Sequence, residues 1–534
     1  MYSSLLYGFD SFGTTEEGTG TTMTTCAINK IDSNVTGLSF AEEDCLKVLP
    51  GVSEANAIWY DLEPNSYSDF GGDITTVARN PIDPGRQNKK GTTTGLDATG
   101  GFNIDVTQTN MQRLLQGFYF ADAREKPQTK PLNGTQSALA SVSGTLYTFA
   151  AGPTFLVSHL ILASGFGIGG NNGLKKPTAV SGTTVTAPGL TAEASPPAAS
   201  MLEAVGAEFA AADVAVVVNS GIPSLSCTAG DFTIYGLTVG EWVYVGGDAV
   251  GSKFVNNAGY ARIKTIAAKL LTFDDTTWTP VAEAATGITL RIFFGTVIRN
   301  EKTPSLIKRR SYNFERTLGM GANDIQAEYL IGAVANEFTL NMPQADKLNA
   351  DLTFVACDNV QRSGDVGDLR KVGTHISALG QDALNTSVNM YRVKLNILDP
   401  TTSKPTPMFG FVQEANVSIS NNVSGLKALG VMGNFDTTAG NFTVGGSLTV
   451  YFATTAAIKA VRNNADCAFN VIIAAKNAGQ VYDVPLLGLG GGRANVEKDT
   501  PITLGLEPAG AENVNGYTMM QVWFEYLPNA AMPA

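Results

Sequence analysis

Between Glu337 and Ala356 apolar residues fall at every second position. Phe338, Leu340 and Met342 come first, a short polar break follows Pro343, and then come Leu348, Ala350, Leu352, Phe354 and Ala356. Glu337, Thr339, Asn341, Asp351 and Thr353 fill the places between them. A period of two sends successive side chains to opposite faces, so the stretch reads as a β-hairpin with one buried face. The pattern returns roughly eighty to a hundred residues later, with Val417 and Ile419 in one strand and Leu448, Val450 and Phe452 in another. A second echo joins it. A strand over 101–106, with Phe102, Ile104 and Val106 on one side, leads to a short helix over 110–116 that Thr109 caps and Gly117 stops. About 346 residues on, the strand at 448–452 runs into a helix over 455–461. The repetition predicts a duplicated β module, which suits a building block better than an enzyme.

The chain has 534 residues, enough for two to four domains with real cores. At 44% hydrophobic and 16% charged it belongs with folded proteins, and its 57 glycines suit many tight turns. A net charge of −12 argues against gripping nucleic acid through a basic surface. On charge alone the chain reads as an ordinary acidic soluble protein, and the charge is also compatible with a surface that must let DNA pass, because it repels phosphates. Only two histidines, His159 and His375, are present, and the five cysteines (Cys26, Cys45, Cys227, Cys357, Cys467) are scattered without a CxxC pair. Reduced thiols are expected, and neither a zinc site nor His-dependent catalysis is. No cofactor is expected.

The tempting motifs read as structure. The GxGxxG at 165–170 precedes Asn171, Asn172 and Pro177 instead of a helix, so it reads as a β-turn. The glycines of 488–492 lack a Lys-Ser/Thr ending and read as a flexible loop between strands. Asp358, Asp365 and Asp368 match no calcium loop, and Asp274 and Asp275 are placed in a turn. Trp59, Trp242, Trp278 and Trp523 are read as core or interface anchors. The first residues have neither the basic start nor the apolar run of a signal peptide, and the apolar windows at 155–170 and 204–218 are too short to span a membrane.

Composition divides the chain. Residues 1–48, rich in Gly, Thr and Ser, are expected to form an extended arm. A first module takes 49–135 and 304–400, and a second takes 401–534. Between them, 136–303 turns to Ala, Gly and Val, and GLKKPTAVSGTTVTA from Gly173 aligns with GYARIKTIAAKLLTF from Gly259, about 86 residues apart. This predicts two small repeated β domains inserted into a surface loop.

Six successive stretches carry a likeness to a known family: IWYDLEPNSYSDFGGDITTVARNPI, GGFNIDVTQTNMQRLLQGFYFADAREKP, RSYNFERTL, EYLIGAVANEFTLNMPQADKLNADLTFVACD, FVQEANVSISNNVSGLKALGVMG and NFTVGGSLTVYFATTAAIKAVRNN. In this order, over half to two-thirds of the chain, they resemble the major tail tube protein of long-tailed (siphovirus-type) bacteriophages. The long insert departs from a plain tube subunit and is similar to the decoration domains some such proteins carry outside the tube.

The resemblance implies a mainly β fold of two tail-tube sandwich or barrel modules, each with a short flanking helix, plus the two inserted β domains. It implies a virion tail protein, assembled in the host cytoplasm, whose stacked rings form the channel for DNA ejection. A trimer with pseudo-sixfold symmetry is favoured over a true hexamer. Tape measure, tail terminator and tip proteins are the implied partners, with DNA in passage and no membrane. Glu337, Thr339, Asn341, Asp351, Thr353, Asn416, Ser418, Ser420 and Thr449 are the candidate lumen residues. Tyr2, Leu5, Leu6, Tyr7 and Phe9 of the arm, with Asp358, Asp365 and Asp368, are the candidate contacts between rings. The competing reading is a virion surface protein whose inserted domains bind a carbohydrate or host receptor through Tyr235, Trp242, Tyr244 and Tyr260.

Overall fold

The computed structural model describes residues 31–533, apart from 83, 285, 321–324, 399–404, 409 and 410. Its centre is a wall of eight strands: β1 (Pro64–Arg79), β2 (Lys89–Asp105), β3 (Ile325–Met342), β4 (Asn349–Ala356), β5 (Val412–Ser420), β6 (Thr443–Tyr451), β7 (Ala478–Asn495) and β8 (Thr503–Gly510). Neighbours are antiparallel throughout, in the order β1–β2–β4–β3–β5–β6–β8–β7. The last four strands repeat the order of the first four. The duplicated module is therefore laid head to tail, and β3–β5 is its seam.

Alternation fixes the register. Across the hairpin Phe338 lies opposite Leu352 and Leu340 opposite Ala350; across the seam they face Ile419 and Val417. All six are 2% exposed or less. A slip of one residue would turn every one of them to solvent, at about 1.5–3 kcal/mol for each large side chain. Against this face lie two short helices, α1 (Gln112–Tyr119) and α2 (Ala456–Arg462). Phe118 of α1 sits 5.8 Å from Phe338 and 5.3 Å from Phe354, ring centre to ring centre.

β3 and β7 are each 18 residues long and serve two layers. The first part of β3 pairs with Tyr312–Met320 and Asp358–Arg362 in an outer layer, and its register shifts between Ala335 and Glu337 before it enters the wall. The first part of β7 likewise pairs with Cys467–Ala475 and Met520–Phe524. Gly37–Glu42, inside the stretch expected to be an arm, is a buried strand paired with Tyr312–Met320.

The residues between the halves of the first module build a four-stranded and a ten-stranded sheet. Both aligned stretches become hairpins: Ala179–Ser181 with Thr184–Thr186, and Gly259–Ala267 with Leu270–Thr276. The asparagines before them are buried clasps of one design. The Asn171 amide donates to the Thr191 carbonyl at 3.0 Å and to Glu193 at 2.8 Å; the Asn257 amide donates to the Val281 carbonyl and to Glu283, both at 2.8 Å. A further apolar cluster joins this region to the second outer layer, with Leu160, Trp242, Tyr244, Tyr260 and Phe293 against Ile472, Val481, Met520, Val522 and Phe524.

Four local expectations are corrected. Gly117 lies inside α1, which ends at Phe120 in the left-handed conformation; the glycine is needed because a Cβ there would meet the Tyr312 hydroxyl at 2.6 Å. Thr109 does not cap the helix but donates its hydroxyl to Gln381. Residues 488–492 are strand, part of β7, with Gly491 and Gly492 at positive φ where the register shifts. Asp274 and Asp275 lie in the strand Leu270–Thr276, and Asp275 is buried against Arg392 at 3.1 Å.

Candidate functional site

The wall has a second face. With Phe338, Leu340, Leu352, Val417, Ile419, Leu448 and Val450 committed to the core, strand geometry sends the residues between them the other way. Glu337, Thr339, Asn341, Asp351, Thr353, Asn416, Ser418, Ser420 and Thr449 all lie on this one face, half-buried or exposed. All the residues singled out from the alternation are thus brought together across four strands.

Side chains on this face satisfy one another across strands. Asp351 accepts from the Asn103 amide and the Asn341 amide, both at 2.7 Å, and both amides also reach Asn349 at 3.0 Å. The ladder continues to β1 where the Asn65 amide donates to Asn103 at 3.0 Å and Asp105 at 2.6 Å. In the second module Thr449 donates to Glu414 at 3.1 Å. Amides and hydroxyls hold Asp351 and Glu414 in place without neutralising them, whereas Asp105 and Asp97 at the margins are paired with Lys347 at 2.7 Å and Lys427 at 2.6 Å, lysines that lie outside the wall strands. Asp97, Asp105, Glu337, Asp351, Glu414 and Glu507 stand on the wall strands, and between the β1–β2 tip and the opposite end Arg493 is the sole basic residue of those strands. Such a surface repels phosphate, and the two lysines that reach its margins are already held by Asp105 and Asp97.

The basic residues gather elsewhere. Arg79, Arg86, Lys89 and Lys90 sit exposed at the tip of the β1–β2 hairpin. Sequence reasoning passed over Arg493, which ends the glycine run taken for a loop; the available signal was that, away from the β1–β2 tip, no other Lys or Arg falls in the wall's strands.

The remaining candidates are not drawn into this face. Asp358 begins the strand Asp358–Arg362 on the outer layer, while Asp365 and Asp368 are exposed in a turn tied by Ser363, whose amide donates to Asp368 at 3.0 Å. Tyr2, Leu5, Leu6, Tyr7 and Phe9 lie outside the described residues. The aromatic set weighed for carbohydrate is interior: Tyr235, Trp242, Tyr244 and Tyr260 are each 3% exposed or less and present no stacking face.

Two buried charge clusters stand behind the wall. Arg262 reaches both carboxylate oxygens of Asp483 at 3.2 Å, and burial pushes Asp483 up to about 6 although Arg262 holds it down. A cavity of about 430 Å³ beside α1 is lined by Gln112, Glu203 and Glu525 among others. Burial raises both carboxyls, Glu525 to about 7 and Glu203 well above its ordinary value, where the Glu525 charge adds to the effect.

A family model described as phage tail tube protein matches residues 33–235 and 240–515. No curated protein matches the chain.

Proposed function

We propose, from the premise that this chain belongs to the phage tail tube protein family, that its eight-stranded wall forms one arc of a closed ring lining the tail tube. As a member of that family it is a structural component of the virion tail and not an enzyme. The observation that supports the ring is the repeated order β1–β2–β4–β3, β5–β6–β8–β7, which leaves a like-organised strand open at each side. Barrel closure is the physical remedy for such edges.

Two modules per chain favour three copies per ring, a trimer with pseudo-sixfold symmetry. Three such walls make about twenty-four strands, and strands ~4.8 Å apart and tilted by ~40° give a backbone diameter of roughly 48 Å. The polar face then lines the bore, and its carboxylates keep passing DNA from sticking. The domain division follows the same reading, except that Gly37–Glu42 of the expected arm belongs to the outer layer: 49–135 with 304–400 and 401–534 build the ring, 136–303 sits outside it, and the residues before Gly37 with the Asp358–Asp368 region meet the next ring. The seam of buried aromatics between 136–303 and the outer layer of the second module, on the side away from the polar face, supports the exterior placement.

Negative-stain microscopy of the purified full chain tests this. Rings or tubes whose end views average with threefold symmetry are expected. Strict sixfold averages would move the reading to a hexamer with one module at the lumen, and a monodisperse monomer at high concentration would overturn it.

A further inference from the structure

The seam between the two modules shows how one module joins the next, so the repeat can be used to read the junction that no single chain contains. At the seam β3 and β5 pair with Glu337 opposite Ser420, Thr339 opposite Ser418 and Asn341 opposite Asn416. The counterpart of β3 is β7 and that of β5 is β1. Phe102 and Leu448 occupy matching places before α1 and α2. Phe102 pairs with Tyr67 and Leu352, while Leu448 pairs with Ala415 and Leu506. One strand further, Asn349 pairs with Asn341 and Asp351 with Thr339, while Thr503 pairs with Asn495 and Gly505 with Arg493. Asn495 therefore matches Asn341, and Arg493 matches Thr339. By the same steps Ser68 matches Asn416 and Gly71 matches Ser418.

Both counterpart edges are open. Among the described residues β1 pairs only with β2, and the 488–495 part of β7 pairs only with β8. The chemistry of the two junctions differs, however. The seam sets Thr339 against Ser418, both uncharged. At the outer junction Arg493 falls opposite Gly71, with exposed Asp73 two places along on one side and exposed Asp69 in the bulge between Ser68 and Gly71 on the other. Diagonal neighbours across an antiparallel pair are about 7–8 Å apart, within reach of an arginine. Gly71 and Gly72 on β1, with Gly490 and Gly491 on β7, leave the two backbones free to approach.

We propose that β7 of one copy pairs antiparallel with β1 of the next, Asn495 opposite Ser68 and Arg493 opposite Gly71, and that Arg493 is locked between Asp69 and Asp73 of that neighbour. This rests on the ring reading and deepens it. The lock also sets polarity. Two β1 edges brought together oppose aspartates, and two β7 edges oppose arginines, so only head-to-tail pairing satisfies the charges.

Cysteine pairing of the full chain tests the register, in a background with Cys26→Ser and Cys45→Ser. Asn495→Cys with Ser68→Cys should give oxidised, closed trimers on a non-reducing gel, because opposed positions have the Cα separation a disulfide needs. The shifted pair Asn495→Cys with Ser66→Cys should give at least tenfold less. Equal yields, or dimers from either single variant, would overturn the register while rings seen by microscopy left the ring reading standing; absence of rings from the parent protein would overturn both. In parallel, Arg493→Asp should abolish tubes, and Arg493→Asp with Asp73→Arg should restore them. Melting temperatures unchanged from the parent would show that the exposed substitutions spare the fold. Tubes formed normally by Arg493→Asp would refute the lock.

Discussion

Replacing Arg262 with Met gives a loss of stability whose size depends on pH, and the structure sets both. Arg262 lies on the strand Gly259–Ala267, and its guanidinium meets Asp483 of β7 at 3.2 Å and Asp274 at 2.7 Å. Asp483 is fully buried, whereas Asp274 is partly open to water. Removing one member of a buried pair costs about 3–5 kcal/mol when the survivor must stay charged. Asp483 has an escape, because burial already lifts it to about 6, against 3.8 for the free group. A carboxyl raised on folding stabilises the protonated native state at low pH, and that advantage disappears as pH climbs through the folded value. Without Arg262 the folded value rises further. At pH 5 Asp483 is protonated in parent and variant alike, and the loss should be about 1–2 kcal/mol from packing and hydrogen bonds. At pH 8 the loss should approach the full 3–5 kcal/mol. The double variant Arg262→Met with Asp483→Leu should recover most of it and show a flat pH response. Hydrogen exchange at Met520–Phe524 and along the start of β7, at both pH values, reads the difference locally. A loss equal at pH 5 and pH 8, or a double variant no better than the single, would refute the reasoning.

Other consequences can be measured directly. Glu525 titrates at about 7 in its cavity beside Glu203, so stability should fall as pH rises from about 4.5 to 7, and Glu525→Gln should flatten that slope and raise the melting temperature at pH 8. Leu352→Ala removes a side chain packed between Phe102 and Phe338 and should cost about 3 kcal/mol in denaturant titration, whereas Thr353→Ala on the opposite face loses only the hydroxyl that accepts the Glu337 amide and should cost about 1 kcal/mol. Lysines at Thr339, Asn416 and Ser418 should leave assembly intact but slow DNA release from virions, increasingly so as salt is lowered; release at the parent rate would argue against a bore-lining face.

The wall was legible because a period of two survives in a single sequence. The run from Phe338 to Ala356 announced both its strands and its buried side, and its echoes at Val417 and Leu448 announced the duplication. What stayed hidden was set by partners distant in the chain. Nothing local says that Gly117 is there to admit Tyr312, because the requirement comes from a residue about two hundred positions away. The glycines of 488–492 resemble a loop by composition but bend a strand between two layers. Asp275 looked like a turn residue until Arg392 and Asn470 closed around it. Arg493 was overlooked for a different reason: its meaning lies in the absence of other cations around it.

The seam between β3 and β5 has a consequence beyond geometry. Because it joins segments of one chain, its partners meet at a fixed effective concentration, whereas the proposed outer junction would form between separate molecules. Dilution therefore acts on only half the junctions of a three-copy ring, and the ring has fewer ways to stall while incomplete. The duplication also frees the two modules to differ. The long insert interrupts only the first, so in the proposed three-copy ring it would emerge at alternate positions around the tube. Bulky domains thereby gain a spacing that six identical subunits could not give them.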